Sequence, residues 1–393
     1  MVYKKNIKNK ETKKKVIKKT LKKEAILKKV SKKSKPGKKK KATAKQKPQI
    51  KKVVSKKEIT KEGIKLLRSE NNPIISPIGE NYWESNQTFN PTAILIDGKI
   101  HFLYRSIGDD GISRFGYAAS YNGEEINERS KDPVFSIVDN NNSAKPLLKI
   151  YLSGGSLFGV EDPRMTIIEN SIYILFTILY RNSLPRIGFM SISKKDFCDK
   201  RWNWSQFKII SPPNETHKNW ALFPEKINGK YAILHSISPK ISIEYLDNLN
   251  FEENKYIKSF YGKTDIKDGW EKNIRGIGPS PIKTKYGWLV IYHASSEKYG
   301  YAIGAMILDY KNPEKIIARS KNPIIEPVEW YEVHGYNDNI IYSCGAVVLN
   351  DDLLIYYGAA DRVSCVAKIN LNDLLENIIK NKKVKTVKKK ISK

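Results

Sequence analysis

Hydrophobic segments recur along residues 61–379 in pairs joined by short polar turns. Five pairs occur, each rich in β-branched and aromatic residues, at 90–106, 161–179, 222–236, 279–295 and 344–361. The turns centre on Asp97-Gly98, Glu169-Asn170, Asn228-Gly229, Tyr286-Gly287 and Asn350-Asp351. Asn-Gly and Asp-Gly turns between such segments are typical of β-hairpins. The pattern therefore predicts five hairpins, spaced 58 to 72 residues apart.

A third strand-like segment, rich in small residues, follows each hairpin. These segments lie at 113–123, 184–197, 238–249, 299–310 and 361–375, and the clearest helical stretch is Asn372–Ile379. Repeated antiparallel sheets without a helical layer are typical of a β-propeller. We predict an all-β protein with a five-bladed β-propeller. A β-sandwich is the alternative, but it does not need five similar hairpins at this spacing.

Charge divides the 393 residues into three parts. Residues 1–60 contain 26 lysines against three glutamates, and residues 380–393 contain eight lysines and no acidic residue. The segment 61–379 carries 37 basic and 38 acidic residues, so the net charge of +30 belongs to the two ends. Such ends cannot bury enough apolar surface to offset chain entropy. We predict disordered, lysine-rich tails at 1–60 and 380–393 and a five-bladed β-propeller domain at 61–379.

The composition also limits the partners and the compartment. A polycation binds polyanions in low salt without a folded reader, so non-specific binding by the tails is expected. The chain has no run of 18 apolar residues to span a membrane, and its first residues lack the apolar core of a secretory signal. Cys198, Cys344 and Cys365 are too scattered for a disulfide framework or a zinc cluster. They are interpreted as buried thiols in a reducing compartment, which predicts a cytoplasmic protein.

Polar residues interrupt the ends of the apolar segments in all five repeats. They are Asn90, Arg105, Glu161-Asp162-Pro163-Arg164, His217-Lys218-Asn219, Lys226, His235, His293 and Asp361-Arg362. In a propeller the innermost strands line a central channel, and a site at its mouth would collect such residues. Each one alone is equally explained as a solvated strand end. A polar group from every repeat predicts one shared site.

The pair Glu161-Asp162 is the most specific of these features. Adjacent residues of a strand point to opposite faces, so the two carboxylates are not expected to form a dyad. An aspartate before proline is commonly a turn residue. A lone acid at a channel mouth instead suits a proton donor whose pKa is raised. The residues alone leave both interpretations of Asp162 open.

Several long strings resemble the motifs of glycoside hydrolase family 130, in the order of that family. They are NPTAILIDGKIHFLYR, GVEDPR, HKNWALFPEKINGKY, GPSPIKTKYGWLVIYHA and YYGAAD. The likeness extends from about Asn72 to Leu375 and includes neither tail. The family comprises five-bladed mannoside phosphorylases and their hydrolytic relatives. The resemblance implies that phosphate attacks the anomeric carbon of a terminal β-mannosyl residue with inversion, which gives α-mannose 1-phosphate and a shortened acceptor.

The resemblance also implies roles for single residues. Asp162 would be the general acid and would pass its proton through the 3-hydroxyl of the sugar. The substrate-binding residues would be Asn90, Arg105, His235 and Asp361. The phosphate-binding residues would be Arg181, Lys226 and His293, with Lys218 and Asn219 as weaker candidates. Phosphate is already an anionic nucleophile, so no second carboxylate is needed to activate water, and neither a metal nor a cofactor is implied.

Two positions depart from the family's pattern. Ser236 follows His235 where many phosphorylases have arginine, and Ala294 follows His293 where many have glycine. The missing cation leaves the acceptor sugar open and, to a lesser degree, the dependence on phosphate. Aromatic candidates for stacking on a sugar, for which core packing is the commoner role, are Tyr104, Trp220, Phe223, Trp270, Trp330 and Tyr331.

Three functions follow from these considerations. The first is an inverting β-mannoside phosphorylase acting on a β-mannosyl oligosaccharide and phosphate, which the basic residues Arg181, Lys226 and His293 favour. The second is a β-mannosidase that uses water. The third is a non-catalytic glycan-binding propeller held in place by its tails, against which the intact EDPR acid argues. The linkage, β-1,2 or β-1,4, and the oligomeric state stay open.

Overall fold

The computed structural model of the protein describes residues 66–137, 154–259 and 269–391. The predicted N-terminal tail, 1–60, lies outside these residues. The described part consists mainly of antiparallel strands, so the prediction of an all-β protein is confirmed. Three helices also occur in it, α1 (Lys194–Cys198), α2 (Trp330–Val333) and α3 (Leu371–Ile391).

The strands follow the five predicted repeats in order, after a short strand β1 (Leu67–Arg68). The first two repeats contain β2 (Gln87–Ile96), β3 (Lys99–Ile107), β4 (Ile112–Ser120), β5 (Glu128–Arg129), β6 (Phe158–Ile168), β7 (Ser171–Leu179), β8 (Arg186–Ser193) and β9 (Lys208–Ile209). The third contains β10 (Ala221–Leu222), β11 (Tyr231–Ser236) and β12 (Ser242–Leu246). The last two contain β13 (Asn273–Ile277), β14 (Ile282–Thr284), β15 (Gly287–Ser296), β16 (Gly300–Leu308), β17 (Ile316–Arg319), β18 (Ile341–Leu349), β19 (Asp352–Ala359) and β20 (Val363–Asn370).

Tight turns join the hairpins, four of them where the sequence predicts. Asp97 and Gly98 have φ angles of 50° and 77°, which fit a type I′ turn and explain the Asp-Gly pair. The fourth turn lies one residue earlier than predicted, because Thr284 pairs with Gly287. Gly287 has a φ of 131°, and a Cβ there would collide with the Leu308 carbonyl. This glycine therefore serves a close approach of two strands and not the turn itself.

The two ends of the described chain share one sheet. Leu67 of β1 pairs with Lys368 of β20, and Ile75 bridges to Ser364. The first and second repeats are also joined, since Ile112 at the start of β4 pairs in parallel with Phe158 of β6. Hydrogen bonding therefore connects the fifth repeat to the start of the chain and the first repeat to the second.

The hydrophobic core is divided into five clusters, each between two repeats. Alternate residues of β19 show the arrangement. Ile355 and Tyr357 pack with Leu289 and Ile291 of the fourth repeat, while Tyr356 packs with residues of the first repeat. The other three clusters join the first repeat to the second, the second to the third and the third to the fourth. Both faces of the sheets are thus buried against neighbouring sheets.

Helix α3 confirms the predicted helical stretch and corrects the prediction for the C-terminal tail. Leu374, Leu375 and Ile378 are buried in the cluster between the fourth and fifth repeats. The helix continues to Ile391, so residues 380–391 are helical where disorder was predicted. Once packed turns have formed, each further residue adds a hydrogen bond at little cost, and lysine is a good helix former.

Two further predictions concern the cysteines and the membrane. Cys344 and Cys365 are buried as predicted, whereas Cys198 is half-buried at the end of α1, and all three are free thiols. Among the described helices, none combines the length and the apolar character needed to cross a membrane.

Candidate active site

The inner strands of the first two repeats carry the same irregularity. Asn90 and Pro91 of β2 together oppose a single residue of β3, and Asp162 and Pro163 of β6 together oppose a single residue of β7. Proline has no N–H for the strand ladder, so a β-bulge accommodates it. Each bulge turns the residue before its proline out of the regular alternation of the strand.

Four of the predicted polar residues share a left-handed backbone. Their φ angles are 50° at Asn90, 51° at Asp162, 66° at Asn219 and 50° at Asp361. Asparagine and aspartate tolerate this conformation better than other residues with a Cβ. Such backbone strain concentrates at functional sites, where the surrounding structure holds it. The four residues come from the first, second, third and fifth repeats, as a shared site requires.

The carboxylate of Asp162 is buried between groups of the first repeat. Its Oδ1 accepts a hydrogen bond of 2.8 Å from Asn90 Nδ2 and lies 3.3 Å from Arg105 Nη1. The side chain is only 5 % exposed. The structure therefore brings Asp162, Asn90 and Arg105 together, as predicted.

The neighbouring Glu161 belongs to the same cluster, which corrects the prediction that the two carboxylates diverge. Glu161 Oε1 accepts a hydrogen bond of 2.9 Å from Arg105 Nη2, and Oε2 accepts one of 2.9 Å from Lys218 Nζ. The alternation rule fails because the bulge begins directly after Glu161. Arg105 thus contacts both adjacent carboxylates.

Arg105 is enclosed from several directions. Its Nε donates to Ser113 Oγ over 2.9 Å, and its Nη2 also donates to Ser156 Oγ over 3.0 Å. The guanidinium lies 4.8 Å from the ring centroid of Phe89. Burial opposes the charge of Arg105, but the carboxylates of Glu161, Asp162 and Asp361 outweigh it and raise the pKa. Arg105 therefore remains a fixed cation at the centre of the cluster.

Asp361 completes the acidic groups. Its Oδ2 accepts a hydrogen bond of 2.7 Å from Asn337 Nδ2, and its backbone carbonyl accepts one of 2.6 Å from Gln87 Nε2. Burial raises the pKa of the carboxyl group, and the opposing effects of Asn337 and Arg105 do not cancel this rise. Asp361 thus takes up a proton more readily than Asp162, whose pKa is lowered.

The expected raised pKa of Asp162 is not found. Burial raises it, but Arg105, Lys218 and the hydrogen bond from Asn90 together lower it below the usual value. The prediction treated the acid as isolated, whereas two cations stand beside it. Without bound substrates, Asp162 is therefore ionised at neutral pH.

Arg164 ties the bulge of β6 to three other repeats. Its Nη1 donates to the Asp162 carbonyl over 2.9 Å, and its Nη2 donates to the Ile277 carbonyl over 2.9 Å and to Tyr342 Oη over 2.9 Å. Tyr342 Oη in turn donates to Asn219 Oδ1. These bonds fix the positions from which Asp162 and Asn219 project.

The two predicted histidines occupy different surroundings. His293 is fully buried, stacks on Tyr342 with ring centroids 4.1 Å apart, and has its pKa lowered to about 3 by burial and by Arg164. His235 is bonded to Ser259 Oγ over 2.8 Å and has its pKa lowered to about 4 by burial and by His217. Both imidazoles are neutral at pH 7, so neither is a cation for phosphate.

The three basic side chains of the candidate phosphate site are not together. Lys226 is exposed beside the turn at Asn228, where its ammonium group lies 4.5 Å from the ring centroid of Tyr231. Lys218 is buried and bonded to Glu161. Arg181 is exposed with its guanidinium 4.7 Å from the ring centroid of Phe158. The structure thus separates Lys226 from the cluster and places the weaker candidate Lys218 in it.

Most of the aromatic candidates are core residues. Tyr104, Trp220, Phe223 and Trp270 are buried, whereas Trp330 is 70 % exposed. Sequence reasoning missed other members of the site, namely Ser113, Ser156 and Asn337. Ser113 and Ser156 lie eight and five residues from Arg105 and Glu161, but none of the three belongs to a motif that marks a contact.

Known proteins are similar to this chain over most of its length. The model of glycoside hydrolase family 130, described as β-1,4-mannooligosaccharide phosphorylase, matches residues 65–380. A 1,2-β-oligomannan phosphorylase of Thermoanaerobacter sp. (strain X514) is 37 % identical over 319 residues, which cover 79 % of this chain and 99 % of that protein. A β-1,2-mannobiose phosphorylase of the same strain is also 37 % identical, over 78 % of this chain and 97 % of that protein.

A solved structure provides a further comparison. It is described under the GH130 family of mannoside phosphorylases, a family that contains glycoside hydrolases targeting β-1,2-mannosidic linkages in Candida mannan. That structure superimposes with a TM-score of 0.63 at 25 % identity, over 79 % of this chain and 95 % of the other.

Proposed function

Because the chain belongs to glycoside hydrolase family 130, we propose that it is an inverting β-mannoside phosphorylase that transfers a terminal β-mannosyl residue to inorganic phosphate. The products are α-mannose 1-phosphate and the shortened acceptor. Phosphate is the co-substrate, and the proposal involves no cofactor. The observation that carries it is the buried cluster in which Asp162 contacts Asn90 and Arg105 beside the cation Lys218.

In this proposal each member of the cluster has one task. Asn90, Arg105 and Asp361 orient the mannosyl residue, with His235 on the acceptor side. Phosphate attacks the anomeric carbon, the glycosidic bond to the acceptor breaks, and the leaving oxygen gains the proton of Asp162 through the 3-hydroxyl. A positioned acid of this kind contributes about 10²–10⁴-fold to the rate.

The phosphate contacts are assigned to Lys218 in place of Lys226. Lys218 stands close enough to Asp162 to lower its pKa, whereas Lys226 lies at the turn of its hairpin. Arg181 contacts Phe158, four residues before the acid, and stays a predicted contact at the edge of the site. His293 stacks on the ring of Tyr342, and its role in phosphate binding stays a prediction.

Phosphate binding also explains how Asp162, which is ionised without substrate, can become the protonated acid that the reaction needs. Arg105 and Lys218 lower the pKa of Asp162 in the protein without substrate. A bound phosphate anion offsets these cations, and its negative charge raises the pKa of a nearby carboxyl group. We therefore assign to phosphate a second task, which is to let Asp162 hold its proton.

The proposed linkage is β-1,2. Two relatives at 37 % identity are named for β-1,2-mannosides, and each is covered over nearly its full length. The description of the family model names β-1,4-mannooligosaccharides instead. The full-length relatives are the more specific guide, since the family as a whole includes several linkages.

Hydrolysis is the second candidate function. A solved structure with 25 % identity comes from work on glycoside hydrolases of the same family, and Ser236 removes a cation that many phosphorylases have. The cluster around Asp162 favours phosphorolysis, because it places the cation Lys218 beside the acid, where phosphate can bind.

We also propose that the five repeats close into a five-bladed β-propeller. The pairing of β1 with β20 and the hydrophobic cluster between the fifth and first repeats support a closed ring. The convergence of polar groups from all five repeats around Arg164, Asp162 and Asp361 supports a central site. A cytoplasmic location and non-specific polyanion binding by the lysine-rich ends stay predictions.

The test is cleavage of β-1,2-mannobiose with and without phosphate, with β-1,4-mannobiose in parallel. We expect α-mannose 1-phosphate to form only with phosphate and faster from the β-1,2 substrate. Mannose release at the same rate without phosphate would establish the hydrolase. No cleavage of either disaccharide, and no synthesis from α-mannose 1-phosphate and mannose, would refute both enzymatic functions in favour of a binding module.

A further inference from the structure

Glu161 is a buried acid to which the proposed reaction gives no task. Its side chain is fully buried, and it directly precedes the general acid in the chain. An ionised carboxylate in such a place is costly unless its partners compensate the lost hydration. The partners of Glu161 therefore indicate why an acid stands here.

The two oxygens of Glu161 hold cations from two different repeats. Oε1 accepts hydrogen bonds from Arg105 Nη2 over 2.9 Å and from Ser156 Oγ over 2.8 Å. Oε2 accepts a hydrogen bond from Lys218 Nζ over 2.9 Å. Arg105 lies on β3 of the first repeat, and Lys218 precedes β10 of the third. The carboxylate of Glu161 thus bridges Arg105, which is assigned to mannose binding, and Lys218, which is assigned to phosphate binding.

The same two cations also act on the carboxylate of Asp162. Arg105 Nη1 is already 3.3 Å from Asp162 Oδ1, and Lys218 acts on the same carboxylate through space. The charged groups around Asp162 are Arg105, Lys218, Arg164, Glu161 and Asp361. The titratable groups Tyr342, Cys344 and His293 pack nearby and are neutral at pH 7. Glu161 bonds both Arg105 and Lys218 directly.

We propose that Glu161 is a positioning residue: it holds Arg105 and Lys218 at a fixed spacing and shares their charge, so that Asp162 stays available to carry the proton. This inference rests on the proposed function in taking Asp162 as the acid. It assigns two effects to one side chain. The charge of Glu161 governs the protonation of Asp162, and its length governs the place of Lys218.

The two effects can be separated by two substitutions. Glu161→Gln keeps the size and removes the charge, so both cations act on Asp162 alone and lower its pKa further. Glu161→Asp keeps the charge but is one methylene shorter, so it cannot reach Arg105 and Lys218 together. The first variant changes the pH profile, and the second changes phosphate binding.

A matched control is available in Glu84. This side chain is also fully buried, and it accepts hydrogen bonds from Arg129 over 2.6 Å and from Tyr104 over 2.8 Å, away from the candidate site. Glu84→Gln therefore reports what the loss of a buried, arginine-paired carboxylate does to folding alone. Thermal unfolding of all three variants and the wild type provides this comparison.

The kinetic experiment measures kcat/KM for β-1,2-mannobiose against pH at saturating phosphate, and KM for phosphate at the optimum. The acid must be protonated, so its ionisation sets the basic limb. We expect Glu161→Gln to move that limb down by about one pH unit, which costs about tenfold in kcat/KM above it. Glu161→Asp keeps the limb and raises KM for phosphate by about tenfold. Glu84→Gln leaves both unchanged.

A second measurement does not depend on turnover. The carboxyl ¹³C signal of Asp162, assigned through Asp162→Asn, is titrated in the substrate-free wild type and in Glu161→Gln. A lower midpoint in the variant supports the inference even if the wild type cleaves no mannoside, a result that would refute only the proposed function. An unchanged midpoint and an unchanged basic limb, with a lower Tm as in Glu84→Gln, would overturn it and leave Glu161 a structural residue.

Discussion

The two ends of each hairpin differ sharply although they belong to the same strands. At one end, Asp97-Gly98 and Asn228-Gly229 form exposed tight turns whose charged neighbours, such as Lys226, face solvent. At the other end, the strands bulge and bury ionised groups. Asp162 lies seven residues before its turn, in contact with a cation from another repeat. Turns need only local sequence, whereas buried charges need partners from elsewhere in the chain.

The two lysines of the third repeat show what this difference means. Lys218 and Lys226 are eight residues apart, and both flank the segment WALFPE. Lys218 is buried against Glu161, whereas Lys226 lies over Tyr231 beside the turn. The same residue type is therefore buried in an ion pair at one end and exposed to solvent at the other.

The largest effect is expected at the bulged end, from Asp162→Asn. The amide keeps the shape but cannot donate the acid proton, so kcat for phosphorolysis falls by about 10²–10⁴-fold. Unfolding temperature, measured alongside, stays close to that of the wild type. Activity within about tenfold of the wild type would show that another group is the acid.

The pair Lys218→Met and Lys226→Met compares the two ends directly. Loss of a preorganised cation at the site lowers kcat/KM for phosphate by about 10²-fold in Lys218→Met. Lys226→Met changes it by about twofold at most, as is usual for a surface substitution. Steady-state kinetics in varied phosphate measure both, and equal effects of the two substitutions would contradict the separation of the lysines.

Anion binding is expected to cause protonation of Asp162, at the bulged end of its hairpin. The pKa of Asp162 lies below its usual value in the substrate-free protein, so the carboxylate is unprotonated. A bound anion raises this pKa, and the protein then takes up a proton. Calorimetry of sulfate binding near pH 4 in buffers of different ionisation enthalpy measures this uptake. We expect up to about one proton for the wild type and clearly less for Asp162→Asn, in which Asp361 is still able to take up a proton. Equal uptake by both proteins would assign the proton to another group.

The smallest effect is expected at the turn end, from Gly229→Ala. Gly229 has a φ of 82° and open space at the Cβ position, so the cost is backbone strain of about 1–2 kcal/mol. Urea unfolding measures this loss, and kcat stays unchanged. A fall in kcat of the folded protein would show that the turn end acts on the site.

Prediction from sequence succeeded where the cause is local. The hairpins, their third strands and the helix that begins at Leu371 follow from residue patterns within short windows. The fourth turn was misplaced by one residue because Gly287 was interpreted as a turn glycine, whereas the close approach of the Leu308 carbonyl requires a glycine there. The helix beyond residue 380 was missed because the prediction used only the lysine-rich composition of 380–393. It did not take into account that this segment continues a helix whose first turns are packed on the core.

The site was predicted in part, for a similar reason. Asn90, Arg105, Asp162 and Asp361 were found because polar residues interrupt apolar strands and match family motifs. Glu161 was set aside because strand alternation was assumed to continue through the bulge. Lys226 was assigned to phosphate from the family resemblance, and its role stays a prediction; the structure places it beside the turn, whereas Lys218 is bonded to Glu161.

The amino-acid sequence by itself determined the repeat, the strands with their turns, and the residue types from which a site can be built, because these depend on short-range periodicity and backbone preference. Only the tertiary structure decided which charges meet. Arg105, Glu161 and Lys218 come from three repeats, and the ionisation of Asp162 depends on distances of a few ångströms across the fold. Electrostatic energy falls with distance in space and not with separation along the chain.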